Sequence, residues 1–168
     1  MNFNWRTSWQ GEDIVVFRDG KAVDRIHTPE IQRVMLVYRN AGDTPGDVAF
    51  TIVELPHEHV IFPAETGFTG RVHFERLSFW ERRPCVYWVS THDAVLPVRH
   101  RPRLWFLRRW TPPFMRLPRA ELASVIDCWP LEGPQSWEER KEQRVQRSLP
   151  FAELALPHPD YRLKRRRA

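Results

Sequence analysis

Between Ala94 and Ala120 the chain carries seven arginines (Arg99, Arg101, Arg103, Arg108, Arg109, Arg116 and Arg119) and one histidine, and no carboxylate. Trp105, Phe106, Trp110 and Phe114 are interleaved with those charges, and five prolines stiffen the backbone between them. A planar guanidinium matches carboxylate and phosphate geometry, and an aromatic ring offers a face on which a partner can stack or bury. The chemistry expected of this segment is recognition of an anionic surface. Trp105 and Trp110 are the expected anchors, with Arg103, Arg108 and Arg109 as their charge partners. The partner is a protein or a second copy of this chain on one reading, nucleic acid or an anionic lipid surface on another.

A second constellation is Glu54-Leu55-Pro56-His57-Glu58-His59. On a strand, His57 and His59 would project to one side and Glu54 could close a third position. Imidazole with carboxylate suits zinc, iron or manganese. A metal-dependent enzyme built on Glu54, His57 and His59 is therefore a further alternative, although Pro56 works against aiming all three. A polar turn exposed to water accounts for the same residues.

Other signatures are absent. There is no G-x-S-x-G elbow, no G-x-x-x-x-G-K loop and no G-x-G-x-x-G loop, so no nucleophile and no cofactor is expected. His73 beside Glu75 and Arg76, and Ser90 beside His92 and Asp93, hold acid–base residue types without a spacing that makes base touch nucleophile. Cys85 and Cys128 stand 43 residues apart with no C-x-x-C motif, and both read as packing residues.

These groups need a scaffold, and the composition supplies one. The chain has 168 residues, 42% of them hydrophobic, with eight Trp and ten Phe, enough to bury a real core. Net charge is +5, but unevenly laid out. The stretch 94–120 contributes +7, and Arg162, Lys164, Arg165, Arg166 and Arg167 add five at the end, leaving an acidic body with 14 basic and 21 acidic residues. Two basic patches on an acidic body bear on partners rather than on fold. No secretory leader and no apolar run of membrane-spanning length is visible, which points to the cytoplasm.

The element order predicts an α+β domain. Asp13–Phe17 and Ala22–His27 flank Asp19-Gly20, a strong hairpin signal. Ile31–Arg39 is apolar enough for a central strand, and Asp47–Leu55 with Glu58–Phe62 forms another pair around Pro56. An antiparallel meander with one face packed and one face wet is expected. Residues 64–80 carry both helical and alternating periodicity and are assigned to a covering helix, and Cys85–Val89 to a further strand. Pro118 opens a helix over Arg119–Trp129, and Ser136-Trp137-Glu138-Glu139 matches a capping box for a second one running to about Ser148. The expected organisation is an α+β domain over 1–131 and a helical extension with a basic tail over 132–168.

In the N-terminal half, hairpins followed by a covering helix resemble the element order of pleckstrin-homology-like bacterial modules. The likeness is one of topology alone and brings no functional residue with it. It implies binding rather than catalysis.

Overall fold

A computed structural model describes residues 4–40, 47–63, 73, 74, 76, 77, 85–100, 112–134, 139, 140 and 142. The chain divides into two units, residues 1–135 and 136–168. The first is α+β and contains two sheets.

Three strands make the first sheet in the order β1-β2-β3: β1 (Trp5–Gln10), β2 (Asp13–Arg18) and β3 (Lys21–His27). Both connections are two-residue turns. Asp19 and Gly20 have φ of 50° and 81°, the left-handed pair that a type I′ hairpin turn requires. The Asp-Gly signal thus closes the hairpin it predicts, with Arg18 opposite Lys21.

The second sheet has the order β7-β4-β5-β6-β8. Its strands are β4 (Arg33–Tyr38), β5 (Val48–Glu54), β6 (Glu58–Pro63), β7 (Val86–Ser90) and β8 (Met115–Pro118). Antiparallel pairing joins β4 to β5, β5 to β6 and β6 to β8, whereas β7 runs parallel to β4. The architecture therefore departs from a single meander. Trp88 of β7 also exchanges two backbone hydrogen bonds of 2.7 Å with Glu132, which occupies part of that edge.

In the second sheet the expectation of one wet face does not hold, whereas β3 of the first sheet is mostly exposed. From their second residue on, β4, β5 and β6 are buried at every position. One face carries Met35, Val37, Phe50, Ile52, Ile61 and Val89, covered by Leu122 and Ile126 of the helix α1 (Arg119–Ile126) and by Trp129 after it. The other face carries Val34, Leu36, Val60, Phe62 and Trp88, all buried. Runs such as Val34-Met35-Leu36-Val37 lack alternation because both of their faces are covered.

Residues 73, 74, 76 and 77 are helical, with Phe74 and Leu77 buried. His73 faces the first sheet, its Nδ1 2.9 Å from Thr7 Oγ1, while the Phe74 ring meets Phe62 of the second edge-on at 6.0 Å. This stretch thus touches both sheets. Residues 139, 140 and 142 of the second unit are helical as well. The rest of the capping-box helix, the arm at 150–161 and the basic tail lie outside the described residues. No described helix is long and apolar enough to cross a membrane.

α1 is shorter than the Arg119–Trp129 span expected, since residues 127–129 continue as turns. Cys85 is buried as expected, but Cys128 is exposed. Trp129 takes the inward position at the end of the helix, which leaves Cys128 on the outer side with its thiol donating to the Ser124 carbonyl at 3.2 Å.

Candidate site: the anchored flanks of the basic segment

Three arginines of the 94–120 stretch are described in side-chain detail, and each is spent on the protein's own carboxylates. Arg99 lies 3.0 Å from Glu121, which His100 also reaches at 3.1 Å. Arg116, on β8, binds Asp24 of β3 at 2.8 Å and Glu58 of β6, and donates to the Arg25 carbonyl at 3.0 Å. Arg119 opens α1 and meets Glu54 at 2.6 Å and Gln32 at 2.8 Å. Phe114 is half-buried and also packs on the protein's own rings, stacked on Trp5 at 5.2 Å and edge-on to Phe62 at 5.4 Å.

Arg116 braces the two sheets through one guanidinium, and Asp24 foremost holds its pKa above the usual arginine range. Replacing Arg116 with alanine strips two carboxylates of a shared partner and is expected to lower stability by about 1–2 kcal/mol, the partly exposed site softening the loss. Lysine should recover little of it, because one ammonium cannot reproduce the planar fork. Urea melts of the three proteins check this.

Arg101, Arg103, Trp105, Phe106, Arg108, Arg109 and Trp110 lie outside the described residues. The segment holding them is therefore defined by its two ends: a 3-10 turn, Val98–His100, and β8. Val98 is 78% exposed, the most exposed large hydrophobic residue among those described.

The Glu54-to-His59 constellation takes a different form from a ligand set. Arg33, Glu54, His59 and Leu117 stand opposite one another across β4, β5, β6 and β8, so they form one row on the face that α1 covers. Glu54 is 2% exposed, and each of its oxygens is held by a guanidinium, Oε1 by Arg119 and Oε2 by Arg33. Arg33 reaches on to Asp127 at the end of α1, at 2.8 Å. Burial opposes the charge on Arg33, but its bonds to Asp127 and Glu54 outweigh that and raise its pKa. His57 is exposed on the turn, where its carbonyl accepts the N–H of Arg119 at 2.9 Å, satisfying a donor at the start of α1. Among the described residues no three His, Cys, Asp or Glu side chains are grouped to hold a metal ion.

His59 is fully buried, and neither ring nitrogen has a hydrogen-bond partner among the described residues. Burial pushes its pKa below the usual histidine value, as it does for His73. Below pH 6.5 the unfolded chain then binds more protons than the folded one, so these two groups make stability fall as pH drops. His27 acts with the opposite sign: its bond to Asp13 raises its pKa, and its contribution fades as pH rises through that value. His59→Leu is expected to flatten the loss of stability between pH 7.5 and pH 5, read as the urea midpoint at each pH.

Sequence reasoning missed Arg33, Gln32 and Asp127 as members of this cluster. The only signal for Arg33 was a charge at the start of an otherwise apolar strand. His92 and Ser90 meet only through a backbone bond, His92 N–H to Ser90 Oγ at 3.2 Å, which is turn geometry. Comparison of the chain with protein families, curated proteins and solved structures finds no match.

Proposed function

We propose that this protein is a non-catalytic binding module whose contact surface is the inner part of the basic-aromatic segment. Arg103, Arg108 and Arg109 supply charge there, and Trp105 and Trp110 supply anchors. The observation that supports this is the pairing of the flanks. Arg99, Arg116 and Arg119 engage Glu121, Asp24, Glu58 and Glu54, so those body carboxylates already have guanidinium partners. The four arginines between residues 101 and 111 have no carboxylate within their own stretch. A partner complementary to them is an acidic protein surface with apolar recesses for the two indoles. The acidic body of a second copy has the right charge.

The test is a titration across a salt series with three probes: an acidic polypeptide, single-stranded DNA and duplex DNA. Self-association is followed in parallel by sedimentation. Salt-sensitive binding of the polypeptide or of a second copy, lost when Arg103, Arg108 and Arg109 become glutamine in a folded variant, supports protein contact. Preferential binding of DNA, with a logarithmic salt slope of about −0.7 to −0.9 per phosphate neutralised, would move the assignment to nucleic acid. No binding of any probe would overturn both.

A further inference from the structure

The row Arg33–Glu54–His59 lies beneath the helix that follows the basic segment, and it contains a fully buried histidine. Glu54 and His59 are directly opposite on adjacent strands, a placement that sets their Cβ atoms about 4.5–5.5 Å apart. Glu54 is also what α1 holds on to: Arg119, the first residue of the helix, binds its Oε1. At the far end, Asp127 is tied to Arg33, which binds the other oxygen of the same carboxylate. One buried carboxylate therefore serves both ends of α1, directly at the start and through Arg33 at the finish.

The charges around His59 are Glu54 on β5, Arg33 on β4, Arg119 at the start of α1 and Asp127 just after it. With neutral imidazole these four cancel. A proton on His59 adds a positive charge that Arg33 and Arg119 repel, and the carboxylate across the strand pair is its natural partner. We propose that His59 is a proton-operated latch for α1: on protonation it draws Glu54 into a new ion pair and loosens the Arg119 end of the helix from the sheet. The neutral ring, with no hydrogen-bond partner among the described residues, is the closed state. The apolar contacts of Leu122 and Ile126 keep the helix on the sheet while its first turn opens.

The experiment is NMR on the intact chain between pH 7.5 and pH 5. It follows the His59 ring resonances together with amide hydrogen exchange corrected for the intrinsic pH dependence. The expected result is that the opening equilibrium of α1 rises by up to tenfold per pH unit, with the same midpoint as the His59 ring. Amides of β4 and β5 keep their protection over that range. In His59→Leu, α1 should stay closed at pH 5, and in Glu54→Gln it should be loosened at every pH. If the His59 ring titrates while α1 protection is unchanged, the latch does not exist. If α1 and the central strands lose protection together, protonation simply unfolds the domain, and the proposal also fails. The ring titration in the unaltered protein decides the matter even if a variant does not fold.

Discussion

Glu54→Ala is expected to destabilise the protein by about 2–4 kcal/mol, lowering the urea midpoint at unchanged slope. Breaking a buried ion pair from one side typically costs about 3–5 kcal/mol, because the remaining charge is left without compensation. Here the penalty is reduced, since the side chains of Arg33 and Arg119 are 25% and 40% exposed and water can take over part of their solvation. The loss still exceeds that of any surface pair, because one carboxylate has two guanidinium partners and links β4, β5 and α1. A double-mutant cycle with Arg119→Ala should show a coupling of about 1 kcal/mol or more. Additivity would mean that the helix is held by its apolar face alone.

The other large effect is expected at Trp88. It is 1% exposed on β7, the only strand parallel to its neighbour among those described. Its ring lies 6.3 Å from that of Tyr38, and the Tyr38 hydroxyl donates to Glu132 at 2.7 Å. Glu132 also pairs with the Trp88 backbone, so the indole packs on the ring whose hydroxyl holds the segment bonded to its own strand. Trp88→Ala should cost about 3–5 kcal/mol, the range for removing a large aromatic from a packed core. That is a large share of the 5–15 kcal/mol typical of a domain. Trp88→Phe should retain a good part of the loss, and hydrogen exchange should show β7 opening before β5.

Some of this was legible in the sequence and some was not, for identifiable reasons. Asp19-Gly20 specifies its own turn, because those residue types tolerate the left-handed backbone the hairpin needs. The apolar runs of β4 to β6 announce strands, and their lack of alternation already carries the information that both faces are covered. Leu122, Ile126 and Trp129 sit at helical spacing and are buried where that spacing puts them. By contrast, β8 is four residues long, lies in a stretch dominated by arginine and proline, and gains its identity only by pairing with β6. β1 reads Trp-Arg-Thr-Ser-Trp-Gln, too polar to stand out until β2 is beside it. The parallel placement of β7 depends on contacts far apart in sequence. Glu54 was seen as a ligand candidate beside two histidines. Its actual partners are 21 and 65 residues away, which no local pattern encodes.

The most direct test of the contact surface is residue-resolved arginine modification with phenylglyoxal, quantified by mass spectrometry on the folded protein. Arg103, Arg108 and Arg109 are expected to react at rates near those of the unfolded chain. Arg33, Arg116 and Arg119, bound to Glu54, Asp24 and Glu58, should be strongly protected. Equal protection of both groups in the monomer would mean that the inner arginines are also spent within the domain, and the proposed binding surface would be contradicted.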